Sequence, residues 1–144
     1  MPVQRDNPYA NFNFTVDIGA GDELGFSEVD LPGAEVDVIE YREGSERRSS
    51  ARKLPGLVKY PNVRLRRGLA GRMELFDWWK AVRDGSPDRR GVTITLLDEQ
   101  RNPVQRWLLR NAWPAKLEFG SLNALGNDVV IETLELAHEG FETE

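Results

Sequence analysis

The sequence contains no cysteine and only one histidine, His138. The first absence excludes disulfides and thiolate metal sites, and it fits synthesis and folding in a reducing cytoplasm. The second excludes a histidine-based metal cluster, so neither a metal nor a cofactor is expected. No stretch approaches the roughly 18 consecutive apolar residues of a membrane-spanning helix, so no direct membrane anchoring is expected. The polar opening Met1-Pro2-Val3-Gln4-Arg5-Asp6-Asn7-Pro8 lacks the apolar core of a secretory signal. None of the 13 glycines falls in a G-x-G-x-x-G or G-x-x-x-x-G-K-[ST] pattern, which leaves no phosphate cradle. A net charge of −5 argues against a general nucleic-acid binder, because the phosphate backbone demands a concentrated positive footprint.

Catalytic constellations are also missing. A Ser-His-Asp triad would need His138 beside a positioned serine, and Ser27, Ser45, Ser49, Ser50, Ser86 and Ser121 all lack a nucleophile-elbow context. The carboxylates Glu28, Asp30, Glu35, Asp37, Glu40 and Glu43 crowd one region, but they fall at alternating strand positions, as on a solvated sheet face. No enzymatic activity is expected.

What remains is a chain of 144 residues, one domain by size, with 40% hydrophobic and 30% charged residues. Phe12, Phe14, Val16 and Ile18 alternate with polar residues and predict a strand, followed by a turn at Gly19-Ala20-Gly21-Asp22 and a second strand over 24–29. A third strand is predicted over 34–43, with Val36 and Val38 on one face and Glu35, Asp37, Ile39 and Tyr41 on the other. Residues 57–67 read as extended, with Pro61 marking an edge or a bulge. Leu69, Met73, Phe76, Leu75, Trp79 and Val82 recur at three- and four-residue spacings and predict one amphipathic helix over 69–83, stopped by Asp84-Gly85. One indole of the Trp78-Trp79 pair is expected to face the core, with Trp79 assigned there beside Met73 and Phe76. Its neighbour is left as a subunit contact. Strands follow over 92–96, 104–110, 113–119 and 129–138, with Trp113, Ala115, Leu117 and Phe119 sharing a buried face. The count of seven or eight strands and one helix predicts a mainly β fold, an antiparallel sandwich or barrel with one flanking helix.

Between these elements, residues 44–55 carry Ser45, Glu46, Arg47, Arg48, Ser49, Ser50, Arg52 and Lys53 with almost nothing apolar. They predict an extended polar arm at about 43–57. Leu54-Pro55-Gly56-Leu57-Val58 follows the charges directly, an arrangement suited to a segment ordered by contact with a neighbouring copy. Arg47, Arg48, Arg52, Lys53, Leu54 and Leu57 are therefore the candidate inter-subunit residues. A mobile surface loop is the competing reading.

Several ordered motifs carry a resemblance. They are Asn7-Pro8-Tyr9 with Phe12-Asn13-Phe14, Gly25-Phe26-Ser27-Glu28-Val29, Glu40-Tyr41-Arg42-Glu43-Gly44, and Arg52-Lys53-Leu54-Pro55-Gly56-Leu57-Val58-Lys59-Tyr60. Trp78-Trp79-Lys80, Leu97-Asp98-Glu99, Asn111-Ala112-Trp113-Pro114 and Ile131-Glu132-Thr133-Leu134-Glu135-Leu136-Ala137-His138-Glu139-Gly140 complete the set. Each is weak alone. In this order and spacing, from about residue 7 to 140, the chain resembles the tail tube proteins of contractile phages and phage-derived contractile injection systems. One departure is Asp30-Leu31-Pro32-Gly33, where the family often has Ser-Gly-Leu.

The resemblance implies a structural protomer of a phage-tail-like particle, six copies forming a ring and rings stacking around a lumen that carries a cargo effector. It implies as partners other copies of the chain, a contractile sheath, and baseplate and tube-cap proteins. A sheet face lining the channel must be polar, and Glu35, Asp37, Thr93 and Thr95 are the candidate lumen residues. The length, and the end just after the last strand, lead us to expect a plain tube protomer. The alternatives are a tube-initiating or baseplate adaptor paralogue and, from a different class, a carbohydrate-binding β-sandwich using Trp78, Trp107 or Trp113.

Overall fold

The computed structural model describes residues 1–19, 21 and 23–144, so Ala20 and Asp22 of the expected first turn lie outside the described residues. Ten strands and one helix are present among them: β1 Phe14–Asp17, β2 Glu23–Leu24, β3 Glu28–Val29, β4 Glu35–Tyr41, β5 Arg52–Lys59, β6 Val63–Gly68, α1 Glu74–Arg83, β7 Arg90–Leu97, β8 Pro103–Phe119, β9 Ile131–Ala137 and β10 Phe141–Thr143. Eight strands form one continuous antiparallel ladder in the order β2-β1-β7-β8-β9-β6-β3, with β10 also on β8. The mainly β fold with a flanking helix agrees with the expectation from the sequence.

The 17-residue β8 joins two layers. Its first half pairs with β7 and β10, and its second half pairs with β9. The change of direction falls at Asn111, whose φ of 50° lies in the left-handed region that Asn tolerates better than most residues. There the β7–β8 register shifts, with Arg90 opposite Ala112 but Val92 opposite Leu109. The extra residue on β8 is a bulge, which bends a strand and increases its twist.

The core fills the space between the layers. Val16, Val92, Ile94 and Leu109 come from one side, and Val63, Leu65, Leu134 and Leu136 from the other. The helix contributes Leu75 and Trp78, both essentially inaccessible. Trp78 is satisfied as well as buried, because its Nε1 donates to the Asp88 carbonyl at 2.8 Å. At the C-terminal end of α1, Gly85 adopts φ 93° and its amide donates to the Val82 carbonyl. This is the glycine stop expected from Asp84-Gly85.

Several expectations need correction. The strand placed over 24–29 is two short strands on different neighbours, β2 on β1 and β3 on β6. The helix starts at Glu74 and not at Leu69, because the Leu69 amide still donates to the Val130 carbonyl and prolongs the β6–β9 ladder. Met73 is consequently the N-cap residue and is exposed, and it is Trp78, not Trp79, that enters the core. Trp79 and Phe76 are half-buried and lie against each other at 6.1 Å. The face proposed for Trp113, Ala115, Leu117 and Phe119 is broken by a register shift between Pro114 and Lys116. Ala112 and Pro114 are buried before the shift, Trp113 and Leu117 are half-buried, and Ala115 and Phe119 are exposed. Among the described residues no helix is long and apolar enough to cross a membrane.

Candidate assembly interface

The largest departure from the expected layout is the arm. It is not a loop over 43–57 but a β-hairpin, whose second strand already begins at Arg52. Strands β4 and β5 form a two-stranded sheet of their own, inserted in the chain between the paired strands β3 and β6. Val36 faces Val58, Val38 faces Pro55, Ile39 faces Leu54 and Tyr41 faces Arg52. Between Val36 and Val38 the register shifts by one residue on β5. Gly56 fits this bulge because a Cβ there would come within 3.0 Å of the Asp37 carbonyl oxygen.

Side chains alternate across a strand, so Val36, Val38 and Val58 lie on one face, while Ile39, Tyr41 and Leu54 lie on the other. All six are exposed, Val38 at 63%, and Leu57 in the bulge is exposed at 74%. A hairpin with one solvated face would show polar residues there. Here both faces expose apolar side chains, beside the charged pairs Glu40–Lys53 on one and Glu35–Lys59 on the other, and an isolated two-stranded hairpin is marginal in water. The connecting residues are organised. Arg42 donates from Nε to the Arg48 carbonyl at 2.7 Å and from Nη2 to the Glu46 carbonyl at 3.0 Å, and Arg52 pairs with Glu46 at 2.8 Å. Arg47, Arg48 and Lys53 are exposed.

The candidate lumen residues are not brought together. Glu35 and Asp37 belong to the hairpin, where Asp37 pairs with Lys59 at 3.1 Å. Thr93 and Thr95 lie on β7, on the face away from Ile94, opposite Asp17 and Thr15 on β1 and Leu108 and Arg106 on β8. A second polar face runs across β6, β9 and β8, formed by Arg64, Arg66, Thr133, Glu135, Lys116 and Glu118. On it the Lys116 ammonium hydrogen-bonds Glu118, which raises the lysine pKa and lowers that of the carboxyl.

Two charged clusters lie away from the hairpin. Arg67, on the inward face of β6, donates from Nε to Glu132 on β9 at 3.0 Å and also pairs with Glu74 in the first turn of α1. Burial opposes the arginine charge, but hydrogen bonds to Glu74 and Glu132 outweigh it and raise its pKa. The same bond holds Glu74 below the usual carboxylate range. In the N-terminal segment, Arg5 makes a two-pronged bond to Glu99 at 2.8 and 2.9 Å. Its guanidinium also sits 4.0 Å from the centre of the Tyr9 ring. Hydrogen bonding from Arg5 brings the Glu99 pKa down to about 2.

Sequence reasoning missed the apolar residues of β4 as surface residues, although the signal was present. Val36 and Val38 fall on one parity, and Ile39 and Tyr41 on the other. It also missed Arg67 and Glu132, each sharing the parity of a buried run, Val63-Leu65 and Leu134-Leu136 respectively. Of the tryptophans considered for a saccharide platform, Trp78 is sealed in the core, while Trp107 and Trp113 are half-buried in the sheet. His138 is buried. Its Nδ1 accepts the Gly140 amide at 3.3 Å, leaving Nε2 to donate to the Pro61 carbonyl at 3.0 Å.

The family model for T4-like virus tail tube protein gp19 matches residues 10–142. The chain belongs to this tail tube family. Among solved structures, a chain of the anti-feeding prophage baseplate, 6-fold symmetrised, is similar at 27% identity and a TM-score of 0.88, covering 97% of both chains. A chain of the sheath-tube complex of an extracellular contractile injection system, in the extended state, has 27% identity and a TM-score of 0.85 over 95% of this chain and 91% of that one. A chain in the structure of the anti-feeding prophage cap (tube terminating cap) shares the fold, with a TM-score of 0.87 at 23% identity over 99% and 94% of the two chains. No match emerges among the curated proteins. The β4–β5 hairpin lies within the matched residues, and the segment 43–57 expected as an arm covers its tip and much of β5 but none of β4.

Proposed function

We propose that the protein is a structural, non-catalytic protomer of the inner tube of a phage-tail-like contractile particle, built as stacked hexameric rings around a lumen. The observation that carries this reading is the β4–β5 hairpin, with apolar side chains exposed on both faces and no covering layer among the described residues. Such an element is suited to bridge copies of the chain, because its exposed apolar side chains need a covering surface. The main ladder points the same way. It ends at β2 and β3, two short strands with unpaired edges, which ring closure would protect. A contractile sheath, baseplate and cap proteins are the further partners, with a cargo effector in the lumen. The lumen is read as lined by polar sheet residues such as Thr93 and Thr95.

A second reading is supported by one comparison. The chain fits a baseplate chain with a TM-score of 0.88 and a sheath-tube chain with 0.85, so a tube-initiating or adaptor role in the same machine competes. Negative-stain microscopy of the purified protein, alone and with sheath protein, separates the two. Hollow tubes of variable length support the protomer. Single rings that never stack support the adaptor.

A further inference from the structure

The N-terminal segment is organised around one side chain. The Arg5 guanidinium binds both carboxylate oxygens of Glu99 in the β7–β8 turn, at 2.8 and 2.9 Å. It also donates to the Asn7 carbonyl at 2.8 Å and the Pro8 carbonyl at 2.9 Å, and it lies over the Tyr9 ring. The Tyr9 hydroxyl donates to the Val3 carbonyl, and the Val3 amide donates to the Val104 carbonyl on β8 at 2.8 Å. Residues 3–9 therefore form a strap across the β7–β8 turn. Among the described residues, one backbone bond and one ion pair fasten it to the sheet.

The strap joins the fold at Asn13. The Asn13 carbonyl accepts the Leu97 amide, and its side chain donates to the Asp98 carbonyl and accepts from Arg101. Ala10-Asn11-Phe12 lie between strap and anchor and make no hydrogen bond among the described residues. Residues 9–12 also form one wall of an open cleft of about 690 Å³, which Phe14, Leu96 and Trp107 line from the sheet. A segment without hydrogen bonds thus separates the latch from the anchor, beside apolar surface.

We infer that residues 1–12 are a releasable strap: the Arg5–Glu99 pair holds this wall of the cleft in place, and the latched strap raises the concentration at which free protomers associate. The inference rests on the tube-protomer reading and adds a control on when copies join. The forces fit a switch better than a permanent lock. Both side chains of the pair are solvent-exposed, at 31% and 53%, and exposed pairs contribute little. Ordering the strap costs backbone entropy, which so few bonds offset only in part. Release removes the wall and bares the aromatic and aliphatic side chains behind it, and such surface favours association in water.

An Arg5→Cys/Glu99→Cys chain tests this, because the protein has no cysteine of its own. Capping each thiol with N-ethylmaleimide leaves the strap released, and bridging the two with a bismaleimide locks it. Compared with the bridged form, the capped form should show a Val3 amide protection factor lower by about fivefold or more, the scale of an exposed ion pair. It should also give brighter emission from the apolar-surface dye ANS and an onset of light scattering at lower concentration. Equal dye emission or equal onset in the two forms would overturn the proposal, as would a higher onset in the capped form. In each of these cases wild-type tubes would leave the tube reading standing. Wild type and both forms staying monomeric at every concentration, with sheath and baseplate components present, would overturn both.

Discussion

Arg67 and Glu132 face each other across the β6–β9 ladder, their Nε–Oε2 contact of 3.0 Å closed off from solvent with both side chains at 5% exposure or less. The pair ends two apolar rows, Val63-Leu65 and Leu134-Leu136, and Glu74 ties it to the first turn of α1. It is a polar link between sheet and helix, next to the core that supports the rest of the molecule.

Breaking that link by Arg67→Ala should cost about 3–5 kcal/mol, because it leaves the Glu132 carboxylate buried without its partner. Removing both charges, as Arg67→Met with Glu132→Leu, should restore most of the loss. Urea denaturation midpoints of the three proteins check this. Equal midpoints for wild type and Arg67→Ala would show that the pair is not sealed off from water.

The two indoles of Trp78-Trp79 should separate sharply. Trp78→Ala empties the core under α1 and should cost about 3–5 kcal/mol. Trp79→Ala removes a half-buried ring stacked on Phe76 and should cost much less. Thermal or chemical melting of both variants decides it, and a larger loss for Trp79 would reverse the assignment of the helix face.

The fold class and the presence of one helix were legible from the sequence, because period-two and period-3.6 patterns survive in single segments. The indole choice was not, because Met73 and Leu69 extend the helical stripe on paper while the chain at Leu69 is still held in the ladder by Val130. The shared face of Trp113, Ala115, Leu117 and Phe119 failed for a similar reason. A register shift at Pro114–Lys116 is set by the partner strand β9 and leaves no local mark. Phe119 is exposed and Trp113 half-buried, so Trp113→Ala should cost less than a core tryptophan. The arm looked like a loop because its polar residues lie at the tip, while the apolar residues that make it a hairpin were divided between two strands.

Acid should loosen the N-terminal segment before the core. The Glu99 pKa falls from the ordinary 4.5 to about 2 in the folded chain, so its bond to Arg5 contributes stability above about pH 4.5 that is lost as pH falls towards 2. Glu74, also lowered by Arg67, contributes with the same sign. The protection factor of the Val3 amide, whose N–H donates to the Val104 carbonyl, should fall across this range and should be low at all pH values in Glu99→Gln. A Val3 protection factor that does not change between pH 5 and pH 2 would contradict the latch.

The basic residues of the arm should matter for assembly and not for folding. Replacing Arg47, Arg48, Arg52 and Lys53 with Ser should leave the unfolding free energy of the monomer within about 0.5 kcal/mol of wild type, as for other surface substitutions. The same change should raise the concentration at which tubes appear in light scattering. Tubes at the wild-type threshold would reduce the tip to a solvated loop.

The central claim is that the exposed apolar hairpin holds copies of this chain together, and electron microscopy of Val38→Asp/Leu57→Asp beside wild type tests it most directly. Both side chains are exposed, at 63% and 74%, so the variant should fold and melt like the wild type. Wild type should form stacked rings or tubes in negative stain, and the variant should remain dispersed at the same concentration. Tubes of wild-type length formed by the variant would contradict the account.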